Sequence, residues 1–220
     1  MKLRRILPYL CLVSTVLVSC RSGNTFTEEV TCADVVVFDR NTDNGSVFLL
    51  TLPKDKNVIT YTSTLPVQSQ NIDEGDCVYL NYVPEGHEPY TSGPILRYSV
   101  SPLTNVKAEV DSRENIQESG FFPITVASAW GLLSNAVVYA SLPYSDSKRT
   151  LKMVIDEETL SYDQPVAYLI YDFEGQPGGF SRNYYLAFNF GEMREKYEFN
   201  SILIKYHDVS AGISSFVIDF

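Results

Sequence analysis

The residues that could support catalysis are few and lie far apart in the sequence. Of the two histidines, His87 lies in a loop-like segment rich in proline and glutamate, and His207 precedes Asp208 near the end of a strand-like run. Adjacent residues of a strand point to opposite faces, so His207 and Asp208 are not expected to work as a pair. The sequence also lacks the nucleophile-elbow, zinc-protease, dinucleotide and phosphate-loop motifs. We therefore expect a protein that is not an enzyme and that uses no cofactor.

Several carboxylates could in principle bind a metal or act on a glycan. The segment 39–45 resembles a calcium loop, but its glycine comes one position late and Leu50 occupies the place of the bidentate glutamate. Asp156–Glu158 and the pair Asp172 and Glu174 could form a glycosidase site only with two carboxyls about 5–9.5 Å apart in a cleft. Both groups follow strand-like runs. Turns between strands explain them better, so we expect no metal site.

The aromatic residues are the main candidates for ligand contact. The sequence contains 15 tyrosines, 12 phenylalanines and one tryptophan. Tyrosines on sheet faces or loops can stack on sugars or anchor peptide and protein partners. We select Tyr61, Tyr90 and Tyr98 as candidate ligand-binding residues, with Tyr144 and Tyr162 as further candidates. The alternative is that these rings pack a β core, because aromatic residues are favoured in strands.

Residues 1–19 have the features of a lipoprotein signal peptide. A positively charged stretch at residues 2–5 precedes an apolar run from residue 6 to residue 18. That run is too short to span a bilayer as a helix, which takes about 20 residues, but suits a secretory signal. It ends in the segment 17–20, Leu-Val-Ser-Cys, which resembles a bacterial lipobox. We expect cleavage before Cys20 and lipidation of its thiol; the alternative is an ordinary signal peptide in which Cys20 has no role.

The lipidated residue begins a polar tether, residues 20–31, that would link the anchor to the folded part. Acyl chains on Cys20 would hold the protein on a bilayer, since each buried CH₂ contributes about 0.8 kcal/mol. In lipoproteins of Bacteroidetes an acidic cluster directly after the cysteine marks export to the cell surface. Here the acidic pair, Glu28 and Glu29, comes late. We therefore expect an outer-membrane protein that faces the periplasm, with the cell surface as the alternative.

The charge of the chain excludes one class of partner. The full sequence has a formal net charge of -10. Because residues 1–19 contain three basic residues and no acidic one, the mature chain would carry -13. A nucleic-acid binder needs a basic surface that displaces counterions from phosphates. We expect no nucleic-acid partner.

Two cysteines remain after the signal and the lipidation site are set aside. Cys32 and Cys77 each lie in an apolar, strand-like run. In an oxidising compartment they could form a disulfide. The alternative is a pair of small buried thiols on different strands. Neither cysteine has the CxxC spacing of a zinc or redox site.

The hydrophobic pattern predicts an all-β protein with two domains. Residues 32–110 contain five or six short strands separated by turn residues, as in a small OB-like barrel. Residues 111–122 are polar and predict a linker. Residues 123–220 contain seven further strands, several of which alternate between apolar and polar residues, and they predict a β-sandwich.

The order of these elements resembles the NigD-like lipoproteins of Bacteroidetes. The segment 74–82 matches the recurring family segment at five positions, with Cys77 in place of the usual arginine: Gly75, Asp76, Val78, Asn81 and Tyr82. Residues 101–106 lie where the family closes its OB-fold, and residues 129–133 lie where a tryptophan-led strand opens its sandwich. The resemblance implies a five-stranded OB-like barrel followed by a β-sandwich. It supplies no catalytic residues.

Together these features predict a non-enzymatic, lipid-anchored envelope protein that binds a protein or a peptide. One alternative is a glycan-binding lipoprotein that uses exposed tyrosines. The other is a hydrolase whose site has no recognisable motif. The first alternative predicts a row of exposed rings on one sheet, and the second predicts carboxylates or a histidine meeting in a deep pocket.

Overall fold

The computed structural model describes residues 30–52, 56–144, 146, 148–173 and 178–220, without the side chains of His87 and Arg97. The predicted signal peptide, Cys20 and most of the predicted tether lie outside the described residues. In the described ranges, no helix is both long and apolar enough to cross a membrane.

The first part of the chain is a closed five-stranded barrel, as predicted. Neighbouring strands follow the order β1-β2-β3-β5-β4. Only β3 and β5 pair in parallel, which closes the barrel. Its core contains the fully buried side chains of Phe48, Tyr61, Leu80, Tyr82 and Ile95. The strands are β1 (Cys32–Thr42), β2 (Gly45–Thr51), β3 (Val58–Ser63), β4 (Cys77–Pro84) and β5 (Gly93–Pro102), and a 3₁₀ helix (Glu85–His87) follows β4.

The segment with calcium-like spacing is a β-hairpin turn. Thr42 pairs with Gly45, and the two residues between them form the turn that joins β1 to β2. Gly45 has a φ of 140°, a value that residues other than glycine rarely adopt. The polar residues of this segment therefore serve the turn.

The second part of the chain is an eight-stranded sheet with two short helices. Its strand order is β13-β12-β10-β9-β6-β11-β8-β7. The elements are β6 (Thr104–Asp111), α1 (Arg113–Glu118), β7 (Thr125–Leu132), β8 (Asn135–Pro143), β9 (Arg149–Asp156), a 3₁₀ helix (Glu157–Thr159), β10 (Val166–Phe173), β11 (Ser181–Asn189), α2 (Gly191–Tyr197), β12 (Ser201–Asp208) and β13 (Gly212–Asp219).

Strand β6 folds this sheet into two layers. Its first half pairs in parallel with β11, and its second half pairs in parallel with β9. The strands on either side of β6 pack face to face around one hydrophobic core that includes Val138, Leu169, Phe188 and Ile202. The predicted β-sandwich is thus one long, open sheet that folds over into two packed layers.

Two segments differ from the sequence interpretation. The barrel domain was predicted to extend to residue 110. Residues 104–111 instead form β6 of the second sheet, and the barrel ends with β5. Residues 111–122 were predicted to be a linker, but they include α1, whose Ile116 packs on Val154 and Ile170. Strand periodicity reports which residues face a core, not which strands will be neighbours, so the pattern of β6 fitted both assignments.

The barrel and the sandwich share a continuous core. Leu132, Val137 and Ala187, from the outer face of the β7–β8–β11 layer, are buried together with the barrel residues. Asn105 of β6 accepts a hydrogen bond from Cys77 N at 2.8 Å and donates one to Cys77 O at 3.0 Å. This contact fixes the start of the second domain against β4 of the barrel.

Candidate functional site

Of the predicted ligand-binding tyrosines, Tyr61 lies inside the barrel. Its side chain is 1% exposed and packs on Tyr82, with 4.7 Å between ring centroids. Tyr82 Oη lies 2.8 Å from Tyr61 Oη and 2.9 Å from Asp34 Oδ2. Because one hydroxyl has one proton, Tyr82 donates to the carboxylate and accepts from Tyr61. These three side chains form a hydrogen-bonded chain at one end of the barrel.

Burial dominates the electrostatics of this chain. It raises the pKa of Asp34, an effect that the hydrogen bond from Tyr82 opposes. Burial also raises the pKa values of Tyr61 and Tyr82. The negative charge of Asp34 raises the pKa of Tyr90. The phenols of this group therefore stay protonated at neutral pH and act as hydrogen-bond donors.

The raised pKa of Asp34 predicts a pH-dependent difference between the wild type and Asp34→Asn. At a pH below the ordinary aspartate pKa of 3.8, the protonation of Asp34 contributes fully to the stability of the fold. This contribution is lost as the pH rises through the higher pKa of Asp34 in the folded state. Asparagine does not ionise and still accepts from Tyr82. We expect the free energy of unfolding of the variant, relative to the wild type, to increase from pH 3 to pH 7 in urea titrations. A difference that stays constant over this range would contradict the prediction.

The other two predicted tyrosines differ in exposure. Tyr98 is half-buried, packs edge-to-face on Phe48 with 5.6 Å between centroids, and donates its hydroxyl hydrogen bond to Leu65 O. Tyr90 is 50% exposed and has a φ of 61°. Tyr90 is therefore the one of the three whose ring is substantially open to solvent.

The two cysteines are unbonded and lie on different strands, as in the second alternative raised by the sequence, but only Cys77 is buried and Cys32 is partly exposed. Cys32 pairs with Tyr82, and Cys77 pairs with Val37, five residues further along β1. At about 3.3 Å per residue, this places the two cysteines roughly 16 Å apart, beyond the reach of a disulfide. Burial, with the nearby charge of Asp76, raises the pKa of the Cys77 thiol to about 12.

The described residues do not bring the other catalytic candidates together. His207 Nδ1 lies 3.1 Å from Phe121 O and so contacts the main chain. Asp156 is fully buried and bonded to Arg113, and Asp172 accepts a hydrogen bond from the adjacent Phe173 N. Within the described part of the chain, no three metal-binding side chains cluster. These contacts give each residue a structural role.

One end of the sandwich does bring chemically active side chains together. The connections β8–β9 and β10–β11 meet there, and they gather two arginines and three aromatic residues that we call the rim: Tyr144, Arg149, Phe180, Arg182 and Tyr184. The rings of Tyr144 and Phe180 stack with 4.8 Å between centroids and 15° between planes. Arg182 Cζ lies 4.3 Å from the Tyr144 centroid, and Arg149 Nη1 donates to Tyr184 Oη at 3.2 Å.

Main-chain hydrogen bonds hold the rim in place. Tyr144 N donates to Phe180 O at 3.0 Å, and Gly178 N donates to Tyr144 O at 2.7 Å. Tyr171 donates its hydroxyl hydrogen bond to Pro143 O at 2.7 Å and ties β10 to the end of β8. The rim is therefore presented by the ends of packed strands.

The rim brings two exposed arginines together on an acidic protein, beside one carboxylate, that of Asp146, which hydrogen-bonds to Tyr144 and raises its pKa. Arg149 and Arg182 are exposed, and no carboxylate of the described residues lies within 4.0 Å of either guanidinium. The hydrogen bond to Tyr184 raises the pKa of Arg149. Phe180 is 52% exposed. An arginine stacked on an aromatic face keeps the N–H groups at its edge available for a carboxylate.

Sequence reasoning selected one rim residue, Tyr144, and missed the arginines. The pairing of β8 with β11 places Pro143 opposite Ser181, which brings together two segments far apart in sequence. The available signal was an arginine within five positions of an aromatic residue at each of two strand ends, Arg182 after Phe180 and Arg149 after Tyr144.

The fold is shared with several solved structures. No family model matches the chain, and no curated protein matches it. A Bacteroides vulgatus protein of unknown function, DUF1344, is 15% identical, with a TM-score of 0.64 over 87% of this chain and 91% of that one. A provisionally named lipoprotein from Bacteroides fragilis is 11% identical, with a TM-score of 0.59 over 86% of this chain and 98% of that one.

A NigD-like immunity protein from Bacteroides caccae is also similar. It is 16% identical to this chain, with a TM-score of 0.56 over 84% of this chain and 91% of that one. The likeness confirms, at the level of the fold, the resemblance to NigD-like proteins that the sequence indicated. None of the three proteins is named as an enzyme.

Proposed function

We propose that this chain is a non-catalytic lipoprotein of the cell envelope that binds an acidic segment of another protein through the rim. The anchor would be the lipidated Cys20, on an outer membrane and facing the periplasm. The observation that carries the binding proposal is the pair of exposed arginines stacked beside Tyr144 without a carboxylate partner in the described residues.

The signal peptide and lipobox support the anchor, and one protein with the same fold is provisionally named a lipoprotein. Residues 21–31 can extend to at most about 40 Å. Strand β1 would then start within that distance of the bilayer. A protein held this way meets partners in or near the membrane.

Substitution of Cys20 by serine tests the anchor. We expect the wild type to incorporate labelled palmitate and to enter the detergent phase in Triton X-114 partitioning, because its acyl chains are apolar. The C20S variant should incorporate none. Equal labelling of both proteins would show that the anchor is elsewhere or absent.

The composition of the rim is typical of the energetic centre of a protein interface. Tyrosine and arginine are enriched at such centres, where a few residues supply most of the binding energy. The rim offers the exposed face of Phe180 for apolar contact and two guanidinium groups for carboxylates. The whole sequence has a formal net charge of -10, so most of the surface repels acidic partners and the rim would determine where such a partner docks.

The ring arrangement favours a protein over a glycan. A sugar stacks on a free ring face. Tyr144 has Phe180 stacked on it and Arg182 close by, and Tyr185 has Tyr79 and Tyr139 stacked on it. These rings offer mainly their edges, which suit a protein interface better than a glycan platform.

Charge reversal in the rim tests the binding proposal in intact envelopes. A photoreactive amino acid at Ser181, beside the rim, would capture the partner in the wild type. We expect R182E to reduce capture at least about tenfold, the loss typical of a central interface residue. The control is K196E, since Lys196 also lies over an aromatic ring, that of Tyr197 at 4.9 Å, but on α2. The K196E variant should capture the partner as efficiently as the wild type does.

Two results would contradict the proposal. One is the recovery of no specific partner by the wild type, and the other is undiminished capture by R182E. Thermal unfolding of each variant shows whether the fold is intact.

A further inference from the structure

A separate cleft of about 470 Å³ lies between the barrel and the sandwich. Thr51, Leu52 and Lys56 line its barrel side, and Trp130 and Arg194 line its sandwich side. Cavities of about 300–1,000 Å³ at domain interfaces are common sites for small ligands. The cleft is independent of the rim.

Arg194 places a half-buried positive charge in this cleft. Its Nε donates to Phe199 O at 3.3 Å, and its Nη1 donates to Leu133 O at 3.1 Å and to Ser134 Oγ at 3.2 Å. The guanidinium also lies 4.5 Å from the Phe220 ring centroid. All these partners are neutral. Burial lowers the pKa of Arg194, which reflects the incomplete solvation of its charge.

Two N–H groups of Arg194 remain unused. A guanidinium has five N–H donors, and the contacts above account for three. Nη2 has no acceptor among the described residues, and no carboxylate there lies within 4.0 Å of the guanidinium. A ligand that accepts two hydrogen bonds and carries negative charge would pair with the open N–H groups and neutralise the guanidinium charge.

The wall of the cleft contains a second unsatisfied polar group. Thr51 Oγ1 is buried and has no hydrogen-bond partner in the described part of the chain. Lys56 adds a second positive charge, an ammonium group that donates to Phe220 O at 3.0 Å. Among the described lining residues, Asp219 carries the one side-chain carboxylate, which is exposed, and the terminal main-chain oxygen of Phe220 already accepts from Lys56.

The rest of the lining is largely apolar. Leu52, Leu133, Val217 and the indole of Trp130 form it. A polar headgroup at Arg194 would therefore continue into an apolar body that lies against these side chains.

We propose that the cleft binds a small organic acid, with its carboxylate at Arg194 and its hydrocarbon part against Leu52, Leu133 and Trp130. A bidentate carboxylate matches the two open donors, and the apolar walls exclude a highly hydrated anion such as free phosphate.

Octanoate is a suitable probe, and Trp130 is a built-in reporter. Trp130 is the only tryptophan in the sequence, so its fluorescence reports directly on the cleft, and calorimetry measures the affinity independently. Octanamide has the same hydrocarbon chain without the charge. We expect octanoate to shift the emission of Trp130 and to bind at least about tenfold more tightly than octanamide, the difference that a charge-assisted pair supplies.

Three variants make the result specific. R194M should weaken octanoate binding at least about tenfold and bring it near that of octanamide. V217W should block the cleft for both probes, and this partly exposed position tolerates the change in the folded protein. D219N should tighten octanoate binding, because it removes the negative charge of Asp219 from the wall of the cleft. Far-UV circular dichroism and thermal unfolding verify folding, and V217W and D219N keep the test valid if R194M does not fold.

The proposal fails if octanoate does not bind to the wild type, or if octanoate and octanamide bind equally. It also fails if a folded V217W variant binds octanoate as the wild type does. Rim variants such as R182E should bind octanoate normally, so the outcome here is separable from that of partner binding.

Discussion

Gly45→Ala is expected to destabilise the barrel by at least about 3 kcal/mol, since both overpacking against backbone and a strained φ contribute. An ideal Cβ on Gly45 would lie 1.7 Å from Ser63 O and 2.6 Å from Ser63 C. These are main-chain atoms at the end of β3, so they cannot move aside as a flexible side chain could. Ser63 is also bonded to its surroundings, because its Oγ accepts from Ser46 N at 3.1 Å and donates to Leu65 O at 2.7 Å. Urea denaturation followed by circular dichroism measures the loss.

Gly75→Ala is the matched control for this prediction. Gly75 also has a positive φ, 91°, but a Cβ there would have nothing within 4 Å. Its substitution should therefore cost only the conformational strain, roughly 1–2 kcal/mol. If the two substitutions destabilised the protein equally, close packing at Gly45 would not be the cause.

Removal of Arg113 is the second substitution with a large expected effect. The side chain of Asp156 is 0% exposed, and its Oδ2 accepts from Arg113 Nε at 2.9 Å and Nη2 at 2.7 Å. Arg113→Met would leave this carboxylate buried with only the hydrogen bonds of its own turn, such as that from Glu158 N at 3.1 Å. Arg113 is itself 44% exposed, so water screens part of this pair, but the carboxylate left behind is fully buried, and we expect a loss clearly larger than that of an exposed ion pair. Thermal and urea unfolding should both show the loss.

An exposed ion pair in the same domain provides the comparison. Lys107 and Glu192 lie 3.2 Å apart, with side chains 81% and 77% exposed. Lys107→Met should change stability by no more than about 1 kcal/mol. The double variant R113M/D156N should recover part of the loss, because it no longer buries an unpaired charge. An equal cost for R113M and K107M would refute the role assigned to Arg113.

The barrel was the most predictable part of the fold. Its strands are short, β-branched and separated by turn residues, and consecutive strands such as β1 and β2 pair through a hairpin that the local sequence specifies. Strand β6 was assigned to the wrong domain because both its partners, β9 and β11, lie far along the chain and pair in parallel. Parallel strands are joined by long crossover connections, so no local turn sequence predicts their pairing.

The candidate sites also depend on contacts between distant segments, which the local sequence does not reveal. Tyr61 and Tyr98 were equally plausible as surface or core residues, and only the register of β3 and β5 decided that Tyr61 is buried. Arg182 and Arg194 gave no signal of their own. Their importance comes from the neighbours that folding supplies, an aromatic stack for Arg182 and a cleft between two domains for Arg194.

The amino-acid sequence by itself determined the strand-rich class, the order of barrel and sandwich and the acidic charge, and it predicts a lipobox at Cys20, because these depend on composition and on contacts between near neighbours. Only the tertiary structure decided that Cys32 and Cys77 lie apart, that β6 joins the two layers of the sandwich, and that the two rim arginines have no carboxylate within 4.0 Å among the described residues. These features depend on which distant segments become neighbours. That choice is made by the burial of the whole apolar surface, which no single segment encodes.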